Sequence, residues 1–340
     1  MGAEIPHSRP WITKADRLAV EQTLCSGQLA HGQATEVFEK EFADYLGSQH
    51  AVSCASGTVG FIIALKALGV GPGDAVIVPT YVCQSILAAV RNTGASPQIC
   101  DVNENGVLTR DTLAAHVNEN TAAILAVHIL GRQCDVESLQ SFGVPVIEDV
   151  CQSFGLTIGG RAAGTLGTMA FFSFHATKCL TTGEGGMVVC NDAGLAQRVR
   201  AERDGMFSFM SDMQAALGSA QLSRYSEFLE RRRQLWQRFI AVEKEAGIEI
   251  DRANENFPFR LIVRNDAPFA ELRRAFLAHG VHVRKGVDQM LHRVVGLDDK
   301  LFPNAVKVFE NTVSVPFYPA LKNGEAGQVV QAMKRVFDAA

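Results

Sequence analysis

Short apolar runs alternate with amphipathic stretches along the first 190 residues of the chain. Short apolar runs bounded by turn residues are typical of buried strands, and apolar positions spaced three and four apart are typical of helices. We predict strands over residues 51–54, 75–78, 97–101, 122–127 and 145–147, and helices over residues 59–68, 82–92 and 135–142. Asp135 is suited to cap the last helix. This alternation predicts a mostly parallel sheet covered by helices on both faces.

The pattern changes in the second half of the chain. We predict strands over 169–174 and 187–190 around a loop rich in Thr and Gly, then helices over 192–204 and 211–241. Beyond these lie a strand over 257–263, a helix over 267–279, a strand over 281–284 and a helix over 325–337. We therefore predict a large domain, residues 1–240, with a seven-stranded sheet, and a smaller α+β domain, residues 241–340. The run Arg231-Arg232-Arg233 is interpreted as a solvated helix face.

Composition narrows the possible partners. Hydrophobic residues make up 47% of the chain and charged residues 20%, which is enough apolar material for a large core. The net charge is −4 without long runs of one sign, which argues against nucleic-acid binding and favours small-molecule chemistry. No apolar stretch long enough to span a membrane and no signal peptide is found, so we expect no membrane partner. The eight cysteines form no CxxC pair, so we expect reduced thiols, no metal site and a cytoplasmic protein.

Two short segments each follow a predicted strand and carry groups suited to ligand binding. Ser56-Gly57-Thr58 opens a helix, where glycine permits close approach and unpaired backbone N–H groups bind anions such as phosphate. Asp149 ends a strand at the edge where open α/β sheets bind ligands, and its carboxylate is suited to a protonated pyridine nitrogen. Taken singly, a segment such as Ser56-Gly57-Thr58 is more often a capped turn than a phosphate site. An acid such as Asp149 is more often a helix cap than a ligand-binding group.

A third segment runs from Ser173 to Lys178 and precedes the glycine-rich residues 181–186. A lone loop lysine is nearly always solvated, but Lys178 lies among apolar and small residues between two strands. Desolvation or nearby cations make a lysine nucleophilic. The chain thus carries a turn at a helix start, an acid at a strand end and a Ser-x-x-x-x-Lys turn, in that order. These are the features needed to hold the phosphate, the ring nitrogen and the aldehyde carbon of pyridoxal 5′-phosphate (PLP). Together the segments favour a PLP site.

Nine stretches of the chain match one family when they are taken together. They lie at residues 26–39, 56–58, 77–79, 127–131, 148–152, 172–178, 183–186, 214–222 and 315–319. With these stretches the chain resembles the DegT/DnrJ/EryC1/StrS family, the sugar aminotransferases of the fold-type-I PLP enzymes. The resemblance covers nearly the whole chain. It implies the PLP-dependent transferase fold and a homodimer with active sites at the subunit interface.

The resemblance also implies a role for each site residue. Lys178 is the catalytic residue and carries PLP as a Schiff base, while Asp149 pairs with the pyridine nitrogen. Gln152 hydrogen-bonds the ring hydroxyl. The phosphate is held by Gly57, Thr58 and Ser173. Some relatives carry histidine in place of this lysine and act as dehydratases, and Lys178 argues against that activity.

The implied reaction moves an amino group between two small molecules. The donor is an amino acid, typically L-glutamate in such enzymes, and the acceptor is commonly a nucleotide-linked keto sugar in amino-sugar, polysaccharide or natural-product biosynthesis. Two alternatives stay open: an aminotransferase for a cyclitol-type ketone, and a PLP-fold protein that senses or regulates without turnover. The intact Lys178, Asp149 and Gln152 argue against the second.

Two positions depart from the family pattern. Family members often stack an aromatic residue on the cofactor ring at the position of Cys83, and here the nearby aromatic residue is Tyr81; the sequence leaves both as candidates for ring contact. The family also has an Asn and an Arg shortly before its Ala-Ala helix, and residues 206–212 contain neither. Ser208 is a candidate substitute for the Asn. His31, His128 and His175 are interpreted as structural.

Overall fold

The computed structural model of the chain describes residues 4–243 and 247–338. Its strands are β1 (His50–Cys54), β2 (Ala75–Pro79), β3 (Ser96–Cys100), β4 (Thr121–Val127), β5 (Val146–Asp149), β6 (Thr157–Ile158), β7 (Arg161–Ala162), β8 (Met169–Ser173), β9 (Gly186–Cys190), β10 (Glu249–Ile250), β11 (Leu261–Arg264) and β12 (Thr312–Val315). The main sheet has seven strands in the order β1-β9-β8-β5-β4-β2-β3. Its pairs are parallel from β8 to β3, and β9 is antiparallel to both neighbours. The predicted α/β class with a seven-stranded, mostly parallel sheet is therefore confirmed.

Helices flank this sheet and build the smaller part of the molecule. They are α1 (Lys14–Ser26), α2 (Gln33–Leu46), α3 (Gly57–Ala67), α4 (Ser85–Asn92), α5 (Arg110–Leu113), α6 (Val136–Gln140), α7 (Ala193–Gly205), α8 (Asp212–Ser223), α9 (Tyr225–Ala241), α10 (Phe269–Ala278), α11 (Leu291–Val294), α12 (Pro303–Glu310) and α13 (Asn323–Asp338). Short 3-10 turns lie at Ile129–Gly131 and Asp299–Leu301. Asp135 caps α6 as predicted, since its carboxylate accepts a hydrogen bond from Ser138 N. Within the described residues, no helix is long and apolar enough to cross a membrane.

Part of the chain's N-terminal segment packs with elements from beyond residue 241. Ile5 forms a bridge with Val281 and lies in a core with Phe276, while Arg9 pairs with Glu325 on α13 at 2.7 Å. The strands β10, β11 and β12 form a separate three-stranded sheet beside this core. The predicted boundary near residue 240 stays a prediction, and its outer limits at residues 1 and 340 lie outside the described residues.

Four predictions from the pattern were wrong in detail. The helix over 211–241 is two helices, because the backbone leaves helical geometry at Arg224, whose guanidinium bonds Asp16 at 2.8 Å. The strand over 257–263 begins only at Leu261, and residues 281–284 form two isolated bridges rather than a strand. Arg232 is not on a solvated face. It is buried and donates to the carbonyls of Pro258 and Phe259, which removes those carbonyls from a sheet ladder.

Candidate active site

The three segments singled out in the sequence meet at one cavity of about 590 Å3. Parallel strands end at the same edge of a sheet, and β5 lies beside β8 with Asp149 opposite Phe171, two residues before Ser173. The predicted residues that line the cavity are Gly57, Thr58, Cys83, Asp149, Gln152, Ser173 and Lys178. The topology therefore brings together side chains that are up to 121 positions apart in the chain.

The start of α3 forms a tight turn against the ends of β8 and β9. Ser56 caps the helix by accepting from Val59 N at 3.2 Å, while the first N–H groups of a helix have no intrahelical acceptor. A Cβ atom at Gly57 would lie 2.7 Å from Ser173 Cβ, and one at Gly186 would lie 2.4 Å from Ser56 C. The two glycines therefore allow the backbone at the start of α3 to lie close to the ends of β8 and β9. The result is a cradle of N–H groups and one hydroxyl suited to a phosphate.

Asp149 offers a buried carboxylate to the cavity. Its Oδ1 accepts from Cys151 N at 2.9 Å, and only 7% of the residue is exposed. Burial raises the pKa of Asp149 above its ordinary value, and the charge of Lys178 acts in the opposite sense. A cation bound in the cavity would compensate the desolvated carboxylate, so this position fits a protonated ring nitrogen.

Gln152 is oriented by an unusual backbone turn. Its Oε1 accepts from Leu130 N at 2.9 Å, which leaves the amide Nε2 as the donor group. Leu130 has a φ of 59°, and Asn254 Nδ2 donates to its carbonyl at 2.8 Å. Gly131 follows with a φ of 88°, and a Cβ atom there would lie 1.8 Å from Phe257 O. These contacts hold the Gln152 amide as a hydrogen-bond donor on the cavity wall.

Lys178 lies in a turn that is held by hydrogen bonds within residues 174–182. Its N–H donates to His175 O at 2.9 Å, and Thr181 Oγ1 and Thr182 N both donate to Phe174 O. The side chain is half-buried, and its Nζ lies 6.0 Å from the centre of the Phe259 ring. Among the described residues Lys178 has no ion pair, so its amine is available to react.

The two candidates for ring contact lie in different surroundings, and contact with a cofactor stays a prediction. Cys83 is exposed and lines the cavity, whereas Tyr81 is fully buried and is not among the lining residues. Tyr81 packs behind the wall at Gly286, where a Cβ atom would lie 2.1 Å from its hydroxyl oxygen. Gly286 thus makes room for Tyr81 while itself facing the cavity. Burial raises the pKa of Tyr81.

The other residues named from the sequence lie around the site or away from it. His175 lines the cavity beside Glu184, with Nε2 and Oε1 3.7 Å apart. His31 packs against Phe209 with the two rings tilted by 33° and their centres 5.0 Å apart. Ser208 lies outside the lining; its Oγ donates to Met206 O and its carbonyl accepts from Ala55 N.

His128 belongs to a buried polar network below the cavity. Cys134 N donates to its Nδ1 at 3.1 Å, so we assign the ring proton to Nε2, which lies 3.0 Å from Glu148 Oε2. Glu148 also accepts from the N–H groups of Gly164, Leu166 and Gly167. Burial alone would raise the pKa of Glu148, but these hydrogen bonds bring it below its ordinary value. The carboxylate ties the loop before β8 to the end of β5.

Glu148→Gln is expected to lower the free energy of unfolding by about 3 kcal/mol or more, because its amide NH2 cannot accept from backbone N–H groups. Urea unfolding at pH 7 measures this, and Glu137→Gln, at an exposed position of α6, is the control, with an effect within about 0.5 kcal/mol. Since the folded pKa of Glu148 is lowered, its stabilisation is present above the ordinary pKa and is lost as the pH falls through the folded value. Equal losses in the two variants would contradict this role.

Four charged lining residues come from the smaller part of the molecule and were not predicted. They are Arg260, Arg284, Lys285 and Asp288. No local motif marks them, because they reach the cavity only when the C-terminal elements pack against the sheet. Glu148 was also missed, although it adjoins Asp149; its side chain points the other way, into the His128 network. Within the described residues, no group of three or more His, Cys, Asp or Glu side chains is placed to hold a metal ion.

Comparison with known proteins agrees with this geometry. A model of the DegT/DnrJ/EryC1/StrS aminotransferase family matches residues 10–334. The spore coat polysaccharide biosynthesis protein SpsC of Bacillus subtilis (strain 168) is 30% identical, over 98% of this chain and 97% of its own. The structure of DesI with its TDP-sugar product is 26% identical with a TM-score of 0.87, covering 98% of this chain and 93% of its own. Spr1654 from Streptococcus pneumoniae, in its PLP form, shares the fold at 24% identity and a TM-score of 0.90, covering 99% of both chains.

Proposed function

Because the chain belongs to the DegT/DnrJ/EryC1/StrS family and is a PLP-dependent aminotransferase, we propose that it aminates a nucleotide-linked keto sugar with L-glutamate as donor. The observation that carries the proposal is the meeting of Lys178, Asp149 and the start of α3 at one cavity. The acceptor class is supported by the relatives, since SpsC is named for polysaccharide biosynthesis and DesI was solved with a TDP-sugar.

The residues present fit the cofactor. The N–H groups at the start of α3 and the Ser173 hydroxyl would bind its phosphate, Asp149 would keep its ring nitrogen protonated, and Gln152 Nε2 would donate to its ring oxygen. Bound PLP supplies an aldehyde that takes up the amino group and a ring that accepts electrons. The tight packing at Gly57 and the desolvated Asp149 carboxylate support this placement.

The chain's own groups then move one proton. Lys178 Nζ would hold the aldehyde carbon until the amino donor displaces it. The freed amine would take the proton from the donor's Cα and deliver it to the carbon that was the cofactor's aldehyde, after which water would release the donor as a keto acid. Asp149, fixed by Cys151 N, would stabilise the positive ring nitrogen throughout. The same residues would run these steps in reverse on the acceptor ketone.

A spectroscopic titration tests the proposal. PLP added to the purified protein should produce a visible absorbance band, L-glutamate should discharge it, and a nucleotide-linked keto sugar should restore it. Restoration by a keto-inositol but by no sugar would favour the cyclitol alternative. A band that no amino acid discharges would favour a sensor.

We further propose that the protein is a homodimer with active sites at the subunit interface, and that it works in the cytoplasm. Phe207 supports the dimer, because it is 85% exposed in a left-handed conformation with a φ of 51°. The loop that presents it is held in place, since Ser208 N donates to Arg203 O and Ser208 O accepts from Ala55 N at the edge of the cavity. Aromatic residues are enriched at protein interfaces, so an exposed phenylalanine on a fixed loop is a candidate interface contact.

Light scattering on a size-exclusion column is expected to give twice the mass of one chain at micromolar concentration. Burial of Phe207 in the interface predicts that Phe207→Asp dissociates the dimer, because an unpaired charge would be desolvated there. Leu301→Asp, at another residue that is 64% exposed, is the control and should stay dimeric. A monomeric wild-type protein would overturn the dimer while leaving the chemistry open to direct assay.

A further inference from the structure

A second and much smaller cavity shares Lys178 with the active-site cavity. It measures about 20 Å3, which is room for one water-sized group. Its walls come from residues 7–11, from the turn around Lys178 and from residues 315–319. We call it the small cavity. Its volume excludes a sugar, a nucleotide or a cofactor, so any occupant is a water or a single small ion.

The walls of the small cavity carry positive charge. The cationic residues that line it are Arg9, Lys178, Arg232 and Arg260, and no Asp or Glu is found among its described lining residues. Arg9 is compensated by Glu325, at 2.7 Å. Arg232 and Arg260 lie against one ring, since the Phe259 ring centre is 5.6 Å from Arg232 Cζ and 5.4 Å from Arg260 Cζ. Buried charges are costly unless an opposite charge lies beside them.

Neither of these two arginines forms an ion pair within the described part of the chain. Arg232 is 4% exposed, and its Nη1 donates to two backbone carbonyls, which fix the guanidinium without cancelling its charge. Arg260 Nη1 bonds His7 Nδ1 at 2.7 Å, and burial lowers the pKa of His7 well below its ordinary value, so this partner is neutral. Burial, followed by the charges of Arg284 and Arg232, lowers the pKa of Arg260 to about 10.

Three residues of the small cavity also have a buried polar atom without a hydrogen-bond partner. The atoms are Arg232 Nε, Arg260 Nε and Tyr318 Oη. An arginine Nε can only donate. Burial raises the pKa of Tyr318 to about 12, so its hydroxyl keeps its proton at neutral pH and can donate as well. The cavity is therefore lined by residues that hold three unused donors.

An unpartnered Nε is not distinctive by itself, because Arg132 and Arg224 have one too. Each of those arginines is paired with an acid: Arg132 with Asp251 at 3.0 Å, and Arg224 with Asp16 at 2.8 Å. The small cavity differs because unused donors, uncompensated charge and space for one small group coincide there.

We propose that the small cavity binds one monatomic anion, for which chloride is the ion to test. A halide accepts hydrogen bonds from several donors and supplies the negative charge that Arg232 and Arg260 lack. A water would supply no charge, and it would need acceptors for its own two hydrogens. The proposal does not depend on amino transfer, because the donors at Arg232, Arg260 and Tyr318 have no part in the steps described above.

The first test measures the thermal unfolding midpoint of the PLP-loaded protein at pH 7 while chloride replaces gluconate at constant ionic strength. Gluconate is too large for the small cavity, and the phosphate of PLP would occupy the cradle at the start of α3. We expect a saturable rise of about 2 °C, since a ligand that binds only the folded protein stabilises it. The same titration without PLP keeps the test independent of the proposed function. No response to chloride in either titration would overturn the inference.

Tyr318→Phe removes one donor and no charge. In gluconate this variant should be at least as stable as wild type, because a buried unpaired hydroxyl is gone. Its affinity for chloride should fall by about tenfold, because one hydrogen bond to a charged acceptor is lost. Tyr45→Phe, at an exposed tyrosine of α2, is the control and should respond to chloride as wild type does. Equal chloride affinities in Tyr318→Phe and wild type would contradict the proposal.

Crystals of the wild-type protein grown in bromide locate the ion without any substitution. Bromide scatters anomalously, and we expect one anomalous peak among Arg232 Nε, Arg260 Nε and Tyr318 Oη. A water in the small cavity and no anomalous peak would overturn the inference. A peak without a saturable effect of chloride on unfolding would mean an adventitious ion only, and would overturn it as well.

Discussion

Lys178→Ala is expected to abolish amino transfer, with a loss of at least about 10⁴-fold in kcat, because the same amine holds the cofactor aldehyde and moves the proton. The fold should remain intact, since Lys178 is half-buried and has no ion pair among the described residues. Steady-state turnover and the visible band are measured together with the thermal unfolding midpoint. The band of the Lys178-bound cofactor should be absent while unfolding is nearly unchanged.

Two further variants sharpen this test of Lys178. Lys178→Arg keeps a cation but cannot hold the aldehyde or accept a proton at neutral pH, so it should be as inactive as the alanine variant. Lys307→Ala, at an exposed position of α12, should behave as wild type. Added methylamine should restore part of the proton transfer to Lys178→Ala, because a small amine can enter the vacated space. Turnover by Lys178→Ala within tenfold of wild type would remove Lys178 from the mechanism.

Asp149→Asn is expected to lower kcat by about 10²- to 10³-fold, the size found when one preorganised electrostatic partner of a reacting group is removed. Asparagine can still accept from Cys151 N, so the turn should keep its shape. What is lost is the negative charge that keeps a ring nitrogen protonated, so the first half-reaction with L-glutamate should slow most. Rapid-mixing absorbance measures that step directly, and Asp111→Asn, at an exposed position of α5, is the control.

The same substitution separates a catalytic from a structural role for Asp149. Since burial raises the folded pKa of Asp149, its contribution to stability is present at low pH and is lost as the pH rises through that value. Without PLP, Asp149→Asn should therefore be as stable as wild type at pH 7 or more so. With PLP bound, wild type should be the more stable protein. A large loss of stability in the absence of PLP would instead assign Asp149 to the scaffold.

Much of the large domain could be predicted because its strands are buried on both faces and read as continuous apolar runs. The errors lie where backbone groups bond outside their own element. Phe257 to Phe259 read as strand, but Arg232 takes two carbonyls of that stretch. Residues 281–284 read as strand, but they bridge to Ile5 and Ser314, far away in the chain. Such partners carry no local signal.

Some residues of the candidate site could likewise be named from the sequence, and others could not. Gly57, Asp149 and Ser173 could be named because each lies directly at the end of a strand or the start of a helix, where parallel topology delivers side chains to one edge. Lys178 could be named because it lies in the turn that follows β8. The sequence could not choose between Tyr81 and Cys83, since they lie two residues apart in the loop after β2 and differ in what packs against them. Gly286, about 200 residues later, makes room for Tyr81 behind the wall.

The sequence by itself determined the α/β class, the family and the order along the chain of the segments that carry candidate site residues. These properties depend on local patterns of apolar runs, turns and short motifs. The tertiary structure alone decided which charges are compensated. Arg232 and Arg260 read alike as basic residues of the chain, yet one is bound by carbonyls of the fold and the other faces the cavity beside the neutral His7. The reason is physical: the free energy of a charge depends on the groups and the solvent around it, and folding sets both.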